Sequence, residues 1–414
     1  METYDVIVAG GGAAGVAAAV GAARSGARTL LVESSGALGG AATLKNVLSY
    51  CGLYTCGRQA RQVVFGVAEE VLEELRAIGG LSEVVRFRGV VVLFDPESVK
   101  YVLDRVSQRH GIDVLLHTMA VGGARADGRF TNVTVHDRNG VRQIAAHAFV
   151  DASGDADLAA LGGASTRYGN HGFLNIGTLA MRIGGVPPDI ALYPDQWTAA
   201  IVAAKARGVA PLAAETGLIS RIPISGDIMA LLVDESYDAR SGASISHAER
   251  HGRAQARAYL EAIRALPGYE RAYLVCTGPS IGTRESRHVN ARYQITREDV
   301  AGGARFDDVV ALGAWPMEFH PSVGVGSTWL PVGGDETYDI PLRALHSIDT
   351  ANLFSAGRTA DGDQYAGASI RVMGTAFATG QAAGIAAADY ADGRGVDAMR
   401  VRAELARQDA RLPR

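Results

Sequence analysis

The feature that most constrains this chain is a glycine-rich turn placed directly after a short apolar segment near the N-terminus. Residues 5–9 (DVIVA) are the apolar run, residues 10–15 (GGGAAG) follow at once, and residues 16–24 continue as an alanine-rich stretch typical of a helix. A second apolar run, residues 28–32, ends at Glu33. Strand, glycine turn, helix and second strand form the order of a parallel α/β unit that binds a dinucleotide.

Each position of the turn has a physical reason. Gly10 permits the tight turn, Gly12 lets the backbone approach a pyrophosphate, and Gly15 lets the helix pack closely on the strand. The helix N-terminus, at Ala13 and Ala14, offers free N–H groups and a partial positive charge to an anion. The turn is therefore predicted to hold the phosphates of a dinucleotide.

The acid at the end of the second strand and the loop after it indicate which dinucleotide this is. Glu33 can accept hydrogen bonds from the ribose hydroxyls. Residues 34–43 (SSGALGGAAT) are small and resemble the E-x-x-x-x-x-G-G segment of flavoproteins, which wraps FAD and passes along the isoalloxazine ring. The contacts predicted for this loop are Ser34, Gly39, Gly40, Ala41 and Thr43.

Three later segments carry the same resemblance. Residues 149–157 (FVDASGDAD) resemble a strand that returns beneath the adenine, and residues 352–358 (NLFSAGR) resemble the strand that approaches the flavin. Residues 281–287 (IGTRESR) are similar to a G-x-R-E-S/T-R-R signature. Together they identify the chain as similar to bacterial FAD-dependent oxidoreductases related to the fumarate reductase and succinate dehydrogenase flavoproteins. The resemblance covers nearly the whole chain.

The fold class expected is α/β, a Rossmann-type FAD-binding domain with an inserted α+β substrate domain. Because the hydrophobic alternation changes near residue 165 and no second nucleotide motif follows, we place the FAD domain at 1–164 and 341–414 and the substrate domain at 165–340. The resemblance implies that a helix N-terminus near Gly374 faces the flavin edge that carries negative charge on reduction. The further FAD contacts it implies are Ala120, Ala152, Ser153, Gly154, Gly357, Arg358, Arg371, Gly374 and Thr375.

The coarse secondary structure is predicted from periodicity. We expect a helix over 58–76 and a helix that begins with a capping box at 246–249 and stops near residue 266. The strands expected outside the N-terminal unit are 113–117, 131–136, 175–183, 227–233 and 271–276.

His320 and Glu318 are the first candidates for catalysis. Residues 315–320 (WPMEFH) resemble a Y-P-x-D-x-H motif of the family, with Glu318 where aspartate is usual. If the segment is a strand, the two side chains share one face. They would then form an acid–imidazole pair suited to moving a proton near neutral pH. The alternative is a structural histidine.

The arginines are the second group of candidates. Arg284 and Arg287, three residues apart, would clamp an anion or, on a helix, pair with Glu285 and Asp299. Arg284 is the better candidate for the site. Arg371 resembles the arginine beside the flavin helix that binds a substrate carboxylate in fumarate reductase relatives, although the local spacing departs by one residue. Holding FAD or an internal acid is the alternative.

Composition narrows the partners. Forty basic residues against 44 acidic give a net charge of −4, without a basic tail or cluster, which argues against nucleic acid and against a membrane surface. Three cysteines without metal-type spacing predict no metal site and favour a reducing compartment, the cytoplasm. FAD is expected to be held non-covalently, a thioether to Cys51 or Cys56 being the alternative.

The function expected is that of an FAD-dependent dehydrogenase or oxidase. It would remove a hydride from a small organic substrate, with reoxidation by oxygen or an external carrier. The absence of a second G-x-G-x-x-G and of C-x-x-C excludes a pyridine-nucleotide–disulfide reductase. The alternatives are a fumarate-reductase-like reduction of an activated C=C bond, a tRNA-modifying flavoprotein and a non-catalytic FAD subunit. The sequence leaves open whether the chain forms a homo-oligomer.

Overall fold

The structure, a computed structural model, describes residues 2–412. Its strands, in chain order, are β1 Thr3–Ala9, β2 Thr29–Val32, β3 Ser49–Cys51, β4 Leu81–Arg86, β5 Val90–Phe94, β6 Asp113–Leu115, β7 Met119–Ala126, β8 Arg129–Asp137, β9 Gly140–Asp151, β10 Thr166–Tyr168, β11 Gly177–Gly184, β12 Leu218–Arg221, β13 Ile228–Glu235, β14 Tyr273–Thr277, β15 Arg287–Val289, β16 Val309–Gly313, β17 Met317–Phe319, β18 Thr328–Leu330, β19 Tyr338–Pro341 and β20 Leu353–Ser355.

The α-helices are α1 Ala13–Arg24, α2 Ala41–Leu44, α3 Val67–Ala77, α4 Pro96–Arg109, α5 Asp157–Leu161, α6 Pro194–Ala206, α7 Gly242–Ile263, α8 Arg297–Gly302, α9 Gln364–Ile370, α10 Met373–Ala391 and α11 Ala398–Arg407. Short 3-10 turns occur at Leu342–Ala344 and Gly357–Thr359. None of the helices within residues 2–412 combines the length and hydropathy that a membrane crossing needs.

The largest sheet is the parallel core that the N-terminal motif predicts. Its order is β6-β2-β1-β9-β8-β7, and β20 pairs in parallel with β9. β1 pairs in parallel with β2 and β9, whereas β8 pairs antiparallel with both β7 and β9. The first and last quarters of the chain therefore meet in one sheet, with the glycine turn at the carboxyl end of β1.

Helices α1 and α10 pack closely enough that only glycine fits between them. A Cβ at Gly380 would lie 2.1 Å from the carbonyl oxygen of Ala14, and one at Gly384 would lie 1.9 Å from that of Ala18. Both distances are far below van der Waals contact, so a side chain would push the helices apart. The glycines of α10 thus join the C-terminal helix to the nucleotide-binding unit.

A second sheet has the order β12-β13-β11-β14 and is antiparallel throughout. Its apolar face joins helices α6 and α7 in a separate hydrophobic core whose buried members run from Leu179 to Ile281. Residues such as Ile295, Val310 and Ile340 join the core of the larger sheet instead. The domain boundaries at residues 165 and 340 stay a prediction.

Four smaller sheets complete the fold of residues 2–412. β10 pairs with β15, β16 with β19, and β17 with β18, each antiparallel. A three-stranded sheet of order β3-β5-β4 lies on the nucleotide-binding side. The β17–β18 hairpin holds the segment that was predicted to carry Glu318 and His320.

Several local predictions are confirmed, and two are wrong. The strands predicted at 131–136, 175–183, 227–233 and 271–276 correspond to β8, β11, β13 and β14, and the strand at 113–117 is shortened to β6. The helix predicted over 58–76 begins only at Val67, after Gly66 with φ +67°. The helix predicted to start at Ser246 begins at Gly242, because Ser241 is its N-cap and accepts from the Ser244 amide. Residues 281–286 are not helical, and β15 begins at Arg287.

Candidate active site

The glycine turn has the shape that a pyrophosphate site requires. Gly10 has φ +98°, and a Cβ there would lie 2.4 Å from the carbonyl oxygen of Ala152. A Cβ at Gly15 would lie 1.7 Å from the carbonyl oxygen of Gly10. Beside Gly12, in contrast, the nearest heavy atom to such a Cβ is 3.7 Å away, so the space there is open. The turn is packed against protein on one side and free at the N-terminus of α1, where Ala13 and Ala14 begin the helix.

Glu33 lies where the ribose of the nucleotide is predicted to bind. Its carboxylate accepts hydrogen bonds from the amides of Gly11 and Ser35, both at 2.7 Å. Its backbone oxygen accepts from Thr118 at 3.0 Å, which brings the start of β7, with Ala120, to the same place. The two segments predicted to meet the nucleotide at this end are adjacent in the structure.

The loop after Glu33 folds back onto the turn. The Gly39 amide donates to the carbonyl oxygen of Gly11 at 2.8 Å, and the Thr43 hydroxyl donates to that of Leu38 at 2.7 Å. Ser34 donates to the Glu33 carboxylate at 3.3 Å. Gly40 and Ala41 lie on the same side of the turn, and a Cβ on Gly40 would lie 2.9 Å from the Cα of Gly12.

Two later segments, residues 152–154 and 357–358, close the other side of the predicted FAD site. Ala152 donates its amide to the carbonyl oxygen of Ala9 at 2.9 Å, which sets Ser153 and Gly154 beside the turn. A Cβ on Gly357 would lie 2.9 Å from the Cβ of Ala14. Arg358 forms an ion pair with Asp155 at 3.0 Å and donates to the Ser286 hydroxyl at 3.0 Å. The predicted FAD contacts are thus brought together from four parts of the chain.

The start of α10 fits the flavin ring. Its N-cap, Val372, makes no side-chain bond to the first turn, so the amides of Gly374 and Thr375 lie at an uncapped helix N-terminus. The Thr375 hydroxyl and Nε of Arg371 are buried and have no hydrogen-bond partner among the described residues. The flavin ring has carbonyl and nitrogen acceptors, which would accept hydrogen bonds from these unpaired donors beside the helix N-terminus. The residues present therefore fit FAD.

A cavity of about 730 Å³ opens over this helix end. Val372 and Met373 form part of its wall, and it extends to β12 and β13 of the second sheet. All four residues predicted for catalysis line it: Arg284, Glu318, His320 and Arg371.

Glu318 and His320 form the predicted pair. β17 ends at Phe319, and the alternation of the chain puts both side chains on one face, with 3.3 Å between Nε2 of His320 and Oε1 of Glu318. Burial alone raises the pKa of Glu318, but the hydrogen bond from His320 and the charge of Arg371 outweigh it and lower the pKa to about 2. Burial and the charge of Arg284 lower the pKa of His320 to about 4. At neutral pH the pair is a carboxylate and a neutral imidazole.

The two arginines predicted for catalysis hold backbone oxygens rather than acids. Arg284 donates to the carbonyl oxygen of Ile176 at 2.8 Å, and Arg371 to that of Glu318 at 3.1 Å. No carboxylate within residues 2–412 lies within 4.0 Å of either guanidinium. Burial, followed by repulsion from Arg371, lowers the pKa of Arg284 to about 10. The pair therefore presents positive charge to whatever occupies the cavity.

Arg287 lies outside this group. Its side chain bonds Asp157 at 3.0 Å, on the nucleotide-binding side. A salt bridge was the alternative predicted for Arg287, but Glu285 and Asp299 are the wrong partners, because the segment is extended rather than helical. Arg284 and Arg287 consequently do not form a shared clamp.

A buried support for the pair was not predicted. The Glu285 carboxylate accepts from the backbone amide and the side chain of Asn175, both at 2.8 Å. The side-chain oxygen of Asn175 accepts from the backbone amide of His320 at 2.8 Å, and the carbonyl oxygen of His320 accepts from Ile176 at 3.2 Å. In the sequence, only the acid of the R-E-S-R block, Glu285, indicated this support. No pattern in the sequence pointed to Asn175.

The cysteines do not behave as nucleophiles. Burial raises the pKa of the Cys51 thiol to about 12, and burial also raises the pKa of Cys56. Both thiols therefore stay protonated at neutral pH. Because cysteine reacts as its thiolate, the protonated thiols are not nucleophiles. Non-covalent attachment of FAD stays a prediction.

Comparison with known proteins fixes the family. Residues 5–407 match the model of the family described as FAD dependent oxidoreductase. The chain belongs to this family. It is accordingly an FAD-dependent oxidoreductase with FAD as its cofactor, which confirms the fold class and the cofactor expected from the sequence.

Individual relatives are more distant. A digeranylgeranylglycerophospholipid reductase of Thermoplasma volcanium is 30% identical over 159 residues, which cover 37% of this chain and 40% of that protein. A geranylgeranyl bacteriochlorophyll reductase-like structure from Thermoplasma acidophilum has a TM-score of 0.51 at 14% identity, covering 100% of this chain and 85% of the other. A flavoprotein/dehydrogenase of Cytophaga hutchinsonii has a TM-score of 0.50 at 16% identity, covering 97% and 82%. These structures share the fold; the predicted relation to fumarate reductase remains a prediction.

Proposed function

We propose that this FAD-dependent oxidoreductase oxidises a small organic substrate that carries an anionic group, with His320 as the base. The observation that carries the proposal is the contact of 3.3 Å between Nε2 of His320 and Oε1 of Glu318, in one cavity with Arg284 and Arg371. When bound, FAD supplies a two-electron acceptor for the hydride that leaves the substrate carbon.

The protein residues divide the remaining work. If Nε2 of His320 donates to Glu318, Nδ1 keeps its lone pair and accepts the proton that leaves the substrate oxygen or nitrogen as the hydride departs. Arg284 and Arg371 bind and orient the anionic group through their free N–H bonds. Reoxidation is assigned to oxygen or an external carrier.

The experiment is anaerobic mixing of the FAD-loaded protein with candidate alcohols and amines that bear a carboxylate. Bleaching of the oxidised flavin by one of them supports the proposal. His320→Gln should slow this bleaching at least about 100-fold, the usual contribution of a general base, whereas the exposed Arg138→Gln should not change it. Bleaching at the same rate in His320→Gln would exclude the assigned base.

A second candidate is reduction of an activated C=C bond. The lowered pKa of Arg284 favours it, since a guanidinium that releases its proton more readily than usual suits a proton donor. The curated relative is itself named a reductase. Reoxidation of the dithionite-reduced protein by an unsaturated acid, without bleaching by any donor, would favour this reaction over oxidation.

A further inference from the structure

The cavity has two chemically different ends. The charged end, over the start of α10, contains Arg284, Glu318, His320 and Arg371. The rest of the lining is mainly apolar and comes from α6, the second sheet and the β17–β18 region. Its apolar side chains include Trp197, Leu218, Ile219, Leu232, Trp315 and Trp329. A ligand that fills the cavity must therefore be polar at one end and apolar along its body.

The charged end needs acceptors from outside the protein. Two guanidinium groups carry ten N–H bonds, and residues 2–412 accept hydrogen bonds from only one nitrogen of each. Two other half-buried cations of the same cavity have partners, since Arg358 pairs with Asp155 and Lys45 bonds the Ser280 hydroxyl, while Arg88 lies on an exposed part of the lining. Among the half-buried cations, Arg284 and Arg371 are thus the ones with N–H bonds to spare.

The acids near these arginines leave room for a ligand carboxylate. Glu318 is engaged by His320 and by the Trp315 indole, which donates at 3.1 Å. Asp234, also on the cavity wall, accepts from the Gly324 amide at 3.3 Å. Neither acid lies within 4.0 Å of Arg284 or Arg371. A planar carboxylate matches the fork geometry of a guanidinium better than a neutral hydroxyl does.

The part of the cavity beside the second sheet sets the size of the apolar body. The total of about 730 Å³ also includes the space along Val372 and Met373 that the flavin ring would take, and the remainder extends to Leu218 and Leu232. A short acid would leave most of the apolar lining of the cavity without contact to the ligand. Each additional buried methylene tightens binding about fourfold.

We propose that the cavity binds an amphipathic monocarboxylate, an alkyl or aryl-alkyl acid of roughly eight to twelve carbons, with its carboxylate between Arg284 and Arg371 and its apolar body against the second sheet. This rests on the proposed function, since it names the anionic substrate class of the same site. It adds a length requirement that the charged residues alone do not impose.

The test is binding rather than turnover. The FAD-loaded protein is titrated with straight-chain carboxylates of four to twelve carbons, with primary alcohols and with alkylammonium ions of equal length. The readouts are tryptophan fluorescence, because all three tryptophans of the chain line the cavity, and the flavin absorption bands. Affinity should rise about fourfold per methylene, and alcohols should bind at least about tenfold more weakly than carboxylates of equal length.

Two variants separate the ends. Arg284→Gln should weaken carboxylates about tenfold or more and leave alcohols unchanged. Leu218→Asn, at a partly buried position of β12, should flatten the dependence on chain length, and Ile348→Asn, 58% exposed and outside the cavity, serves as the matched control. Equal affinity for alcohols and carboxylates, or affinity independent of length, would overturn the inference.

The inference about binding and the proposed reaction can be rejected independently of each other. An acid that binds tightly but neither bleaches the flavin nor reoxidises it upholds the inference and rejects the proposed reaction. A short neutral donor that bleaches the flavin, while no carboxylate binds, upholds the oxidation and rejects the inference.

Discussion

The FAD cradle and the charged end of the cavity are built in opposite ways. The cradle is made of backbone: its glycines at 10, 15, 380 and 384 admit no Cβ, and its donors are amides at the starts of α1 and α10. The charged end is made of side chains from three separate segments. Arg284 is held by the backbone oxygen of Ile176, Arg371 by that of Glu318, and the His320 backbone by the Asn175 side chain. A backbone site depends on shape, whereas a side-chain site depends on charge and on its supports. The two regions should therefore respond differently to substitution.

Gly15→Ala should give the largest effect, because its Cβ would meet the carbonyl oxygen of Gly10 at 1.7 Å and force the turn apart. The expected result is loss of bound FAD, measured by flavin absorbance after gel filtration. Gly242→Ala is the control, since a Cβ there meets nothing within 4 Å. Full flavin content in Gly15→Ala would show that the close contact is not required.

Arg284→Gln should leave FAD bound and lower kcat/KM about 100-fold. The loss of a charged hydrogen bond, worth about 1.5–3 kcal/mol, sets this size. Flavin content and turnover are measured on the same sample, with Arg138→Gln as an exposed control. Parallel loss of FAD and activity would contradict the separation of the two regions.

Asn175→Ala tests the support beneath His320. Removing its side-chain oxygen frees the His320 backbone amide, so kcat should fall about tenfold with little change in KM, because the residue positions the base and does not touch the substrate. Asn175→Asp, which keeps the acceptor oxygen but sets a second carboxylate against Glu285, should recover kcat only in part. An unchanged kcat in Asn175→Ala would remove Asn175 from the mechanism.

The pH dependence of stability gives the smallest effect. His320 takes up a proton near pH 4 when folded but near 6.5 when unfolded, so between these values the unfolded state binds more protons and stability falls as pH falls. From pH 7 to pH 6 the expected loss is about 0.7 kcal/mol. His346, with its pKa also lowered to about 4 by burial, acts in the same window.

Urea unfolding at both pH values checks this. His320→Gln should lose less stability than the wild type over that step, by about the same 0.7 kcal/mol. An equal loss in the two proteins would mean that His320 titrates normally in the folded state.

The fold was predictable because its signals are local. The strand, the glycine turn, α1 and Glu33 lie within 30 residues. The positions of the glycines and of the apolar runs specify these elements without tertiary information. The errors fell where a tertiary neighbour decides the beginning of an element, as Gln381 does at Val67, or where two caps compete, as Ser241 and Ser246 do at the start of α7.

The sequence by itself determined the nucleotide unit, the family resemblance and the identity of Arg284, Glu318, His320 and Arg371 as candidates, because residue type and spacing carry that information. Only the tertiary structure decided that these four line one cavity, that Arg287 leaves it for Asp157, and that Asn175 and Glu285 hold His320 in place. The glycine turn of the FAD cradle depends on backbone shape, which neighbouring residues encode, whereas its contacts with Ala152 and α10 depend on the tertiary structure. The charged end depends on burial and on partners more than 100 residues away, which no local pattern encodes.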